Sequence, residues 1–228
     1  MSKGPAMNNA RGKAPLRRLA GVMFDLDGTL ADSFTDITTA MNLTRADFGM
    51  PPLPLAQVRG TVGGGSKHLV KTLVPVPDAE FERAFAVYQA HYEAHLLDHT
   101  RLYPGVMETL RHFSGRPLAV VTNKHHRFAE KVLKGLGIRD YFQMVLGGDS
   151  LARRKPDPLP VVTVLERFRL AAVDTALVGD GLHDIEAARA AGVIAVAVAT
   201  GVESRESLGA ASPFCLLESL EELPGLFA

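Results

Sequence analysis

Short apolar runs recur along the chain, and in its second half helical patterns fill the gaps between them. Leu19–Phe24, Leu118–Val121, Met144–Leu146, Ala176–Val178 and Val193–Val198 are too short for helices and nearly free of charge. Strands buried on both faces read this way. Between the later runs, Arg127–Leu136, Leu159–Phe168 and Asp184–Ala191 carry helical spacing. Alternating strand and helix predicts an α/β fold with a parallel sheet and helices on both faces. Ligands of such sheets bind at the carboxyl ends of the strands. Polar residues that directly follow an apolar run are therefore the first candidates for chemistry.

One stretch breaks the alternation. From Ser33 to His99 the pattern is helical, clearest in Phe34–Phe48 and Ala79–Leu97. The second segment places Phe81, Phe85, Tyr88, Tyr92 and His95 at helix-like spacing. The chain returns at Tyr103-Pro104-Gly105, a turn that leads into another helix. Residues 33–99 are thus expected to form a small helical domain that lids the strand ends. Residues 18–32 and 100–228 are expected to form the core around the sheet. Residues 1–17 hold Gly, Pro, Asn and basic side chains without apolar periodicity, the composition of a disordered tail.

Composition narrows the function. The 25 basic and 25 acidic side chains cancel, so no overall field favours nucleic acid or an anionic membrane. No apolar run approaches the roughly 20 residues of a membrane span. Cys215 is the only cysteine, which rules out an intrachain disulfide and suits a reducing, cytoplasmic setting. No heptad run marks an interface, so a monomer or a modest homodimer is expected.

Each strand that should face a site ends in reactive groups. The first runs Val22-Met23-Phe24-Asp25-Leu26-Asp27-Gly28-Thr29-Leu30. Asp25 and Asp27, so close at the end of a buried strand, would repel each other unless a cation or proton intervenes. The competing reading, a pair of exposed turn aspartates, is weakened by the apolar strand before them and Gly-Thr-Leu after them. The second strand ends Thr122-Asn123-Lys124. Thr122 and Asn123 offer hydrogen-bond donors to an oxyanion, although Thr-Asn alone equally suits a helix cap. In Arg153-Arg154-Lys155-Pro156-Asp157-Pro158, Lys155 can serve as a point charge on a phosphate, or simply belong to a solvated basic loop. A later strand ends Gly179-Asp180-Gly181-Leu182-His183-Asp184. Asp180 could meet Asp25 in an oxygen-rich site for a hard divalent cation. Asp184 would cap the next helix and could also support that site. His183 reads as a surface residue.

In this order the segments Asp-Leu-Asp-Gly-Thr-Leu, Thr-Asn, Lys-Pro-x-Pro and Gly-Asp-x-x-x-Asp resemble the haloacid dehalogenase superfamily. The likeness covers about residues 20–224. Tyr103-Pro104-Gly105-Val106, Thr122-Asn123-Lys124, Gly147-Gly148-Asp149 and Val62-Gly63-Gly64-Gly65 are similar to its phosphoglycolate phosphatase branch. The resemblance implies a three-layer, Rossmann-like core with an inserted α-helical cap. It implies an Mg²⁺-dependent phosphatase acting on a small phosphorylated metabolite, with 2-phosphoglycolate foremost. Asp25 would be the nucleophile and Asp27 the general acid and base. Thr122, Asn123 and Lys155 would hold the phosphoryl group. Asp25, the Asp27 carbonyl and Asp180 would hold the metal. Gly63, Gly64 and Gly65 are candidates for the leaving group, with a helix-start loop free of substrate as the alternative. Gly181 stands where related sequences often carry Ser, and His125 where the branch often has Pro.

Rival activities stay open at this level. Sugar phosphates and nucleoside monophosphates are alternative substrates, and a phosphomutase would use the same core. The mutase pattern, however, normally has an acidic residue where this chain has Gly179. A non-catalytic regulatory protein on the same scaffold is a further alternative, which the intact set of reactive side chains disfavours.

Overall fold

Strand β1 (Gly21–Phe24) is buried along its whole length, and its residues alternate between two apolar layers. The structure, a computed structural model, describes residues 17–228. The tail expected over residues 1–17 therefore lies, apart from Arg17, outside the described residues. Arg17 itself bridges to Phe227.

On one face of β1, Val22 and Phe24 pack with Leu110 and Phe113 of α5 (Val106–Phe113) and with Val132 and Leu133 of α6 (His126–Gly135). On the other, Met23 packs with Val161 and Val164 of α7 (Leu159–Phe168) and with Ala187 and Ala188 of α8 (Leu182–Ala191). This is the expected three-layer α/β arrangement. The sheet contains β1, β4 (Leu118–Val121), β5 (Met144–Leu146), β6 (Thr175–Gly179), β7 (Ile194–Val198) and β8 (Cys215–Leu217). Its order is β5-β4-β1-β6-β7-β8, and every pairing is parallel. Because β1 lies between β4 and β6, the chain crosses to opposite sides of it, which opens a crevice at the carboxyl end.

All five expected strand runs form strands, with ends that shift by at most a few residues. The edge strand β8 escaped the sequence reading because it is short and only its last residue is fully buried. A second, two-stranded antiparallel sheet joins β2 (Ala31–Asp32) to β3 (Arg101–Leu102). It clamps the exit and return of the intervening segment. That segment contains α1 (Phe34–Asp47), α2 (Leu55–Arg59), α3 (Ser66–Leu73) and α4 (Phe81–His95). Ile37, Met41, Val70, Tyr88 and Tyr92 carry its interior, which is continuous with the apolar layer over β1. Helix α9 (Arg205–Ala210) follows β7. Among the described residues, no helix is long and apolar enough to cross a membrane.

The junction rests on one buried carboxylate. Asp36, in the first turn of α1, accepts hydrogen bonds from the backbone N–H of His99 (3.0 Å) and of Thr100 (2.8 Å). The Thr100 hydroxyl adds a third at 2.7 Å. Burial alone would raise the pKa of this group, but the bonds from Thr100 and His99 hold it below its ordinary value.

Candidate active site

The register of the sheet brings distant motifs to one edge. Phe24 lies beside Val120 on one side and Val178 on the other, so Asp25, Thr122 and Asp180 emerge from adjacent strand ends. The backbone N–H of Asp25 is tied to the Val178 carbonyl at 2.9 Å. A cavity of about 600 Å³ opens over these ends. Asp25, Asp27, Thr122, Asn123, Lys155, Asp180 and Asp184 line it from the core. Gly63, Gly64 and Gly65 line it from the loop before α3. Every residue singled out from the sequence thus meets one space.

Three carboxylates crowd together at its floor. Oxygens of Asp25, Asp180 and Asp184 all lie within 4.8 Å of one another. Glycines make that approach possible. A Cβ on Gly28, which has φ +87°, would fall 2.3 Å from an Asp180 oxygen. One on Gly179 would meet the Asp184 carboxyl at 2.1 Å, and one on Gly201 would meet that of Asp180 at 1.6 Å. An acidic side chain at position 179, as a mutase pattern would have, could not fit without displacing Asp184.

Protein donors hold each carboxylate. Asp25 accepts from the Leu26 N–H at 2.7 Å. Asp180 accepts from the Thr29 hydroxyl at 2.7 Å and the Val202 N–H at 2.9 Å. Burial pushes the pKa of Asp25 well above the usual carboxylate range; Lys155 pulls it back and Asp184 pushes it further up. Asp180 is raised by burial and then by the charges of Asp25 and Asp184. Such a cluster carries more negative charge than its one lysine offsets. Its all-oxygen donor set, cradled by glycines, fits a hard divalent metal ion.

Lys155 is drawn into this floor. Its Nζ lies 2.5 Å from Asp184, 3.2 Å from Asp25 and 2.5 Å from the Val121 carbonyl. Desolvation alone would lower its pKa, yet Asp184 and Asp25 hold it above the ordinary value. Asp184 caps α8 as expected, but from its first turn rather than its first position. The helix starts at Leu182, and Asp184 reaches back to accept from the Gly181 N–H at 3.1 Å. Asn123 donates to the carbonyls of Gly63 (2.8 Å) and Lys155 (2.9 Å), which ties the α3 loop to the core. His183, read as a surface residue, is half-buried and lines the cavity.

Asp27 stands apart from the three clustered carboxylates. Its oxygens accept from the Ser33 hydroxyl at 2.5 Å and from Lys124 Nζ at 2.9 Å each. The Lys124 ammonium also sits 4.5 Å from the Tyr92 ring centroid, a cation–π distance. Neither Lys124 nor Ser33 was singled out in the sequence. The signal was present for Lys124, which directly follows Thr122-Asn123 at a strand end. Ser33 and the loop of Thr200, Gly201 and Val202 gave none, since only the fold brings them to Asp27 and Asp180.

Comparison with known proteins places these features in context. Residues 22–198 match the family model described as haloacid dehalogenase-like hydrolase. A phosphoglycolate phosphatase of Chromobacterium violaceum is 38% identical over 203 residues, covering 86% of this chain and 91% of that protein. One from Thiobacillus denitrificans is 42% identical over 182 residues, covering 76% and 80%. The crystal structure of a predicted phosphoglycolate phosphatase from Haemophilus somnus 129pt superimposes with a TM-score of 0.86 at 29% identity, covering 93% of this chain and 98% of that one.

Proposed function

The chain belongs to the haloacid dehalogenase-like hydrolase family and is a phosphatase; we propose that it hydrolyses 2-phosphoglycolate with Mg²⁺, through a phosphorylated Asp25. The observation that carries this reading is the meeting of Asp25, Asp180 and Asp184 at the floor of the cavity that also holds Asp27. The substrate is inferred from the relatives named phosphoglycolate phosphatase, which match most of this chain.

Asp25 and Asp180, with the Asp27 carbonyl, would hold the ion. Asp184 would steady the site, since its oxygens already accept from Lys155 and the Gly181 N–H. Bound there, Mg²⁺ would neutralise phosphoryl charge and orient the reactants.

In the first displacement an Asp25 oxygen attacks phosphorus. The bond from phosphorus to the leaving oxygen breaks, and that oxygen takes a proton from the Asp27 carboxylic acid. In the second, water attacks the phosphorus of the aspartyl phosphate and gives a proton to the Asp27 carboxylate. The bond to Asp25 breaks, inorganic phosphate leaves, and both carboxyl groups return to their starting states. Splitting hydrolysis in this way is the usual work of a covalent nucleophile. The separation of Asp27 from the acidic cluster supports its role, because an acid and base must be free to exchange its proton. Thr122, buried at the β4 end, would hold phosphoryl oxygens together with Lys155. Both amide hydrogens of the Asn123 side chain are already given to the Gly63 and Lys155 carbonyls, so Asn123 would position the loop instead. The segment from α1 to α4 would act as the cap, with the Gly63–Gly65 loop beside the leaving group.

Phosphate release from a panel of phosphorylated metabolites, ranked by kcat/KM with Mg²⁺ present, tests this reading. Phosphoglycolate should lead, and a chelator or Asp25→Asn should abolish release. A sugar phosphate or nucleoside monophosphate at the head of the ranking would replace the proposed substrate while leaving the chemistry intact.

A further inference from the structure

We propose that Lys124 determines specificity by binding the carboxylate that a substrate carries on the carbon next to its leaving oxygen. This rests on the phosphoglycolate reading and deepens it. Lys124 and Lys155 both line the cavity, but they serve different sides of it. Lys155 is engaged by Asp25 and Asp184 on the floor where the phosphoryl group would sit. Lys124 touches the other reactive carboxylate, with its Nζ 2.9 Å from each oxygen of Asp27. A group that protonates the leaving oxygen must approach it closely, so a cation bonded to that group stands on the leaving-group side.

The substrate's chemistry matches this position. In 2-phosphoglycolate a single methylene separates the leaving oxygen from the carboxylate, so one ammonium beside the proton donor can reach both. The environment strengthens the contact. The Lys124 side chain is only 5% exposed and lies over the Tyr92 ring, and a charge in such a place interacts more strongly than one in water. Its desolvation is met by folding rather than on binding. The same wall offers further unmet polarity. The Tyr92 hydroxyl, which can donate to a carboxylate, is buried without a hydrogen-bond partner among the described residues, and Tyr92 lines the cavity. Buried groups of this kind are ordinarily satisfied, so a polar ligand suits this wall better than an apolar one.

The test is the ratio of kcat/KM for 2-phosphoglycolate to that for 2-hydroxyethyl phosphate, in which an alcohol replaces the carboxylate. Measured on one preparation, the ratio cancels the fraction of active enzyme. Wild type should prefer phosphoglycolate. Lys124→Gln should lower the ratio by about 10- to 100-fold, the range for losing a hydrogen bond to a charged group. Lys124→Met, whose apolar stem keeps the packing on Tyr92, should do the same if the glutamine variant folds poorly. Lys124→Arg should retain most of the preference. Equal losses for both substrates in the neutral variants would overturn the inference and leave Lys124 acting only through Asp27. A wild type without preference would overturn the phosphoglycolate reading along with it.

Discussion

Asp25 and Asp27 are near neighbours in sequence, yet their surroundings set them different tasks. Asp25 shares a crowded floor with Asp180, Asp184 and Lys155, whereas Asp27 faces Ser33 and Lys124. Asp27→Asn should therefore keep cation affinity, measured by calorimetry, while turnover falls by about 10²- to 10⁴-fold, the usual worth of a general acid or base. Near-wild-type turnover would remove that role from Asp27. The floor also predicts a pH dependence of stability. Burial and mutual repulsion raise the pKa of Asp25 and Asp180 above their ordinary value. Without metal, the folded state then holds protons that the unfolded chain has already released. Stability contributed by these groups is complete below the ordinary carboxylate pKa, near about 4, and is lost as pH rises through the raised values. Metal-free protein should show a Tm that falls with rising pH in this range, with a shallower slope in Asp180→Asn. Added Mg²⁺ should raise Tm more at higher pH, and equal Mg²⁺ stabilisation at both ends would contradict this account. The carboxylates were legible because a strand end in a parallel sheet is a defined place. Ser33, Thr29 and Val202 were not, because each reaches the site through a turn whose path the local pattern does not specify.

At the scale of elements, the two-stranded clamp and Asp36 decide how the α1–α4 segment is held. Asp36 gathers both returning backbone amides and the Thr100 hydroxyl. Asp36→Ala should cost about 1.5–3 kcal/mol, the range for a hydrogen bond to a charged group. A two-state denaturant titration would measure it, and an unchanged midpoint would show that water replaces the carboxylate at no cost. Helices α1 and α4 were legible because their apolar residues recur over several turns. Helix α2 spans only Leu55–Arg59 behind Pro54, too short for a period to show. In α3, Leu69, Val70 and Leu73 carry the buried face, yet its eight residues are too few to show a clear period. Strand β8 is a short edge whose partner is distant in sequence. In each of these elements tertiary packing, rather than local pattern, fixes the structure.

Across the whole molecule, one apolar layer runs from the sheet into the helical segment, and the cavity lies where the two meet. Polar ties span the same boundary. Arg59 of α2 stacks 4.7 Å from the Phe34 ring centroid and donates to the Thr200 carbonyl at 3.0 Å and to that of Gly201. The adjacent Val202 N–H holds Asp180. Arg59→Ala should therefore loosen the loop around residue 202 and raise its amide hydrogen exchange, with little change in the sheet. Unchanged protection there would mean that the loop is held by β7 and β8 alone. The central claim is that Asp25 carries the phosphoryl group between two displacements. Its most direct test is to mix Asp27→Asn with an aryl phosphate, whose phenolate leaves without a proton from Asp27, and Mg²⁺, quench in acid, and map the protein by mass spectrometry. One phosphoryl group on the peptide at Asp25, absent from Asp25→Asn, is the predicted result; phosphate release with no phosphorylated Asp25 at any time point would contradict it.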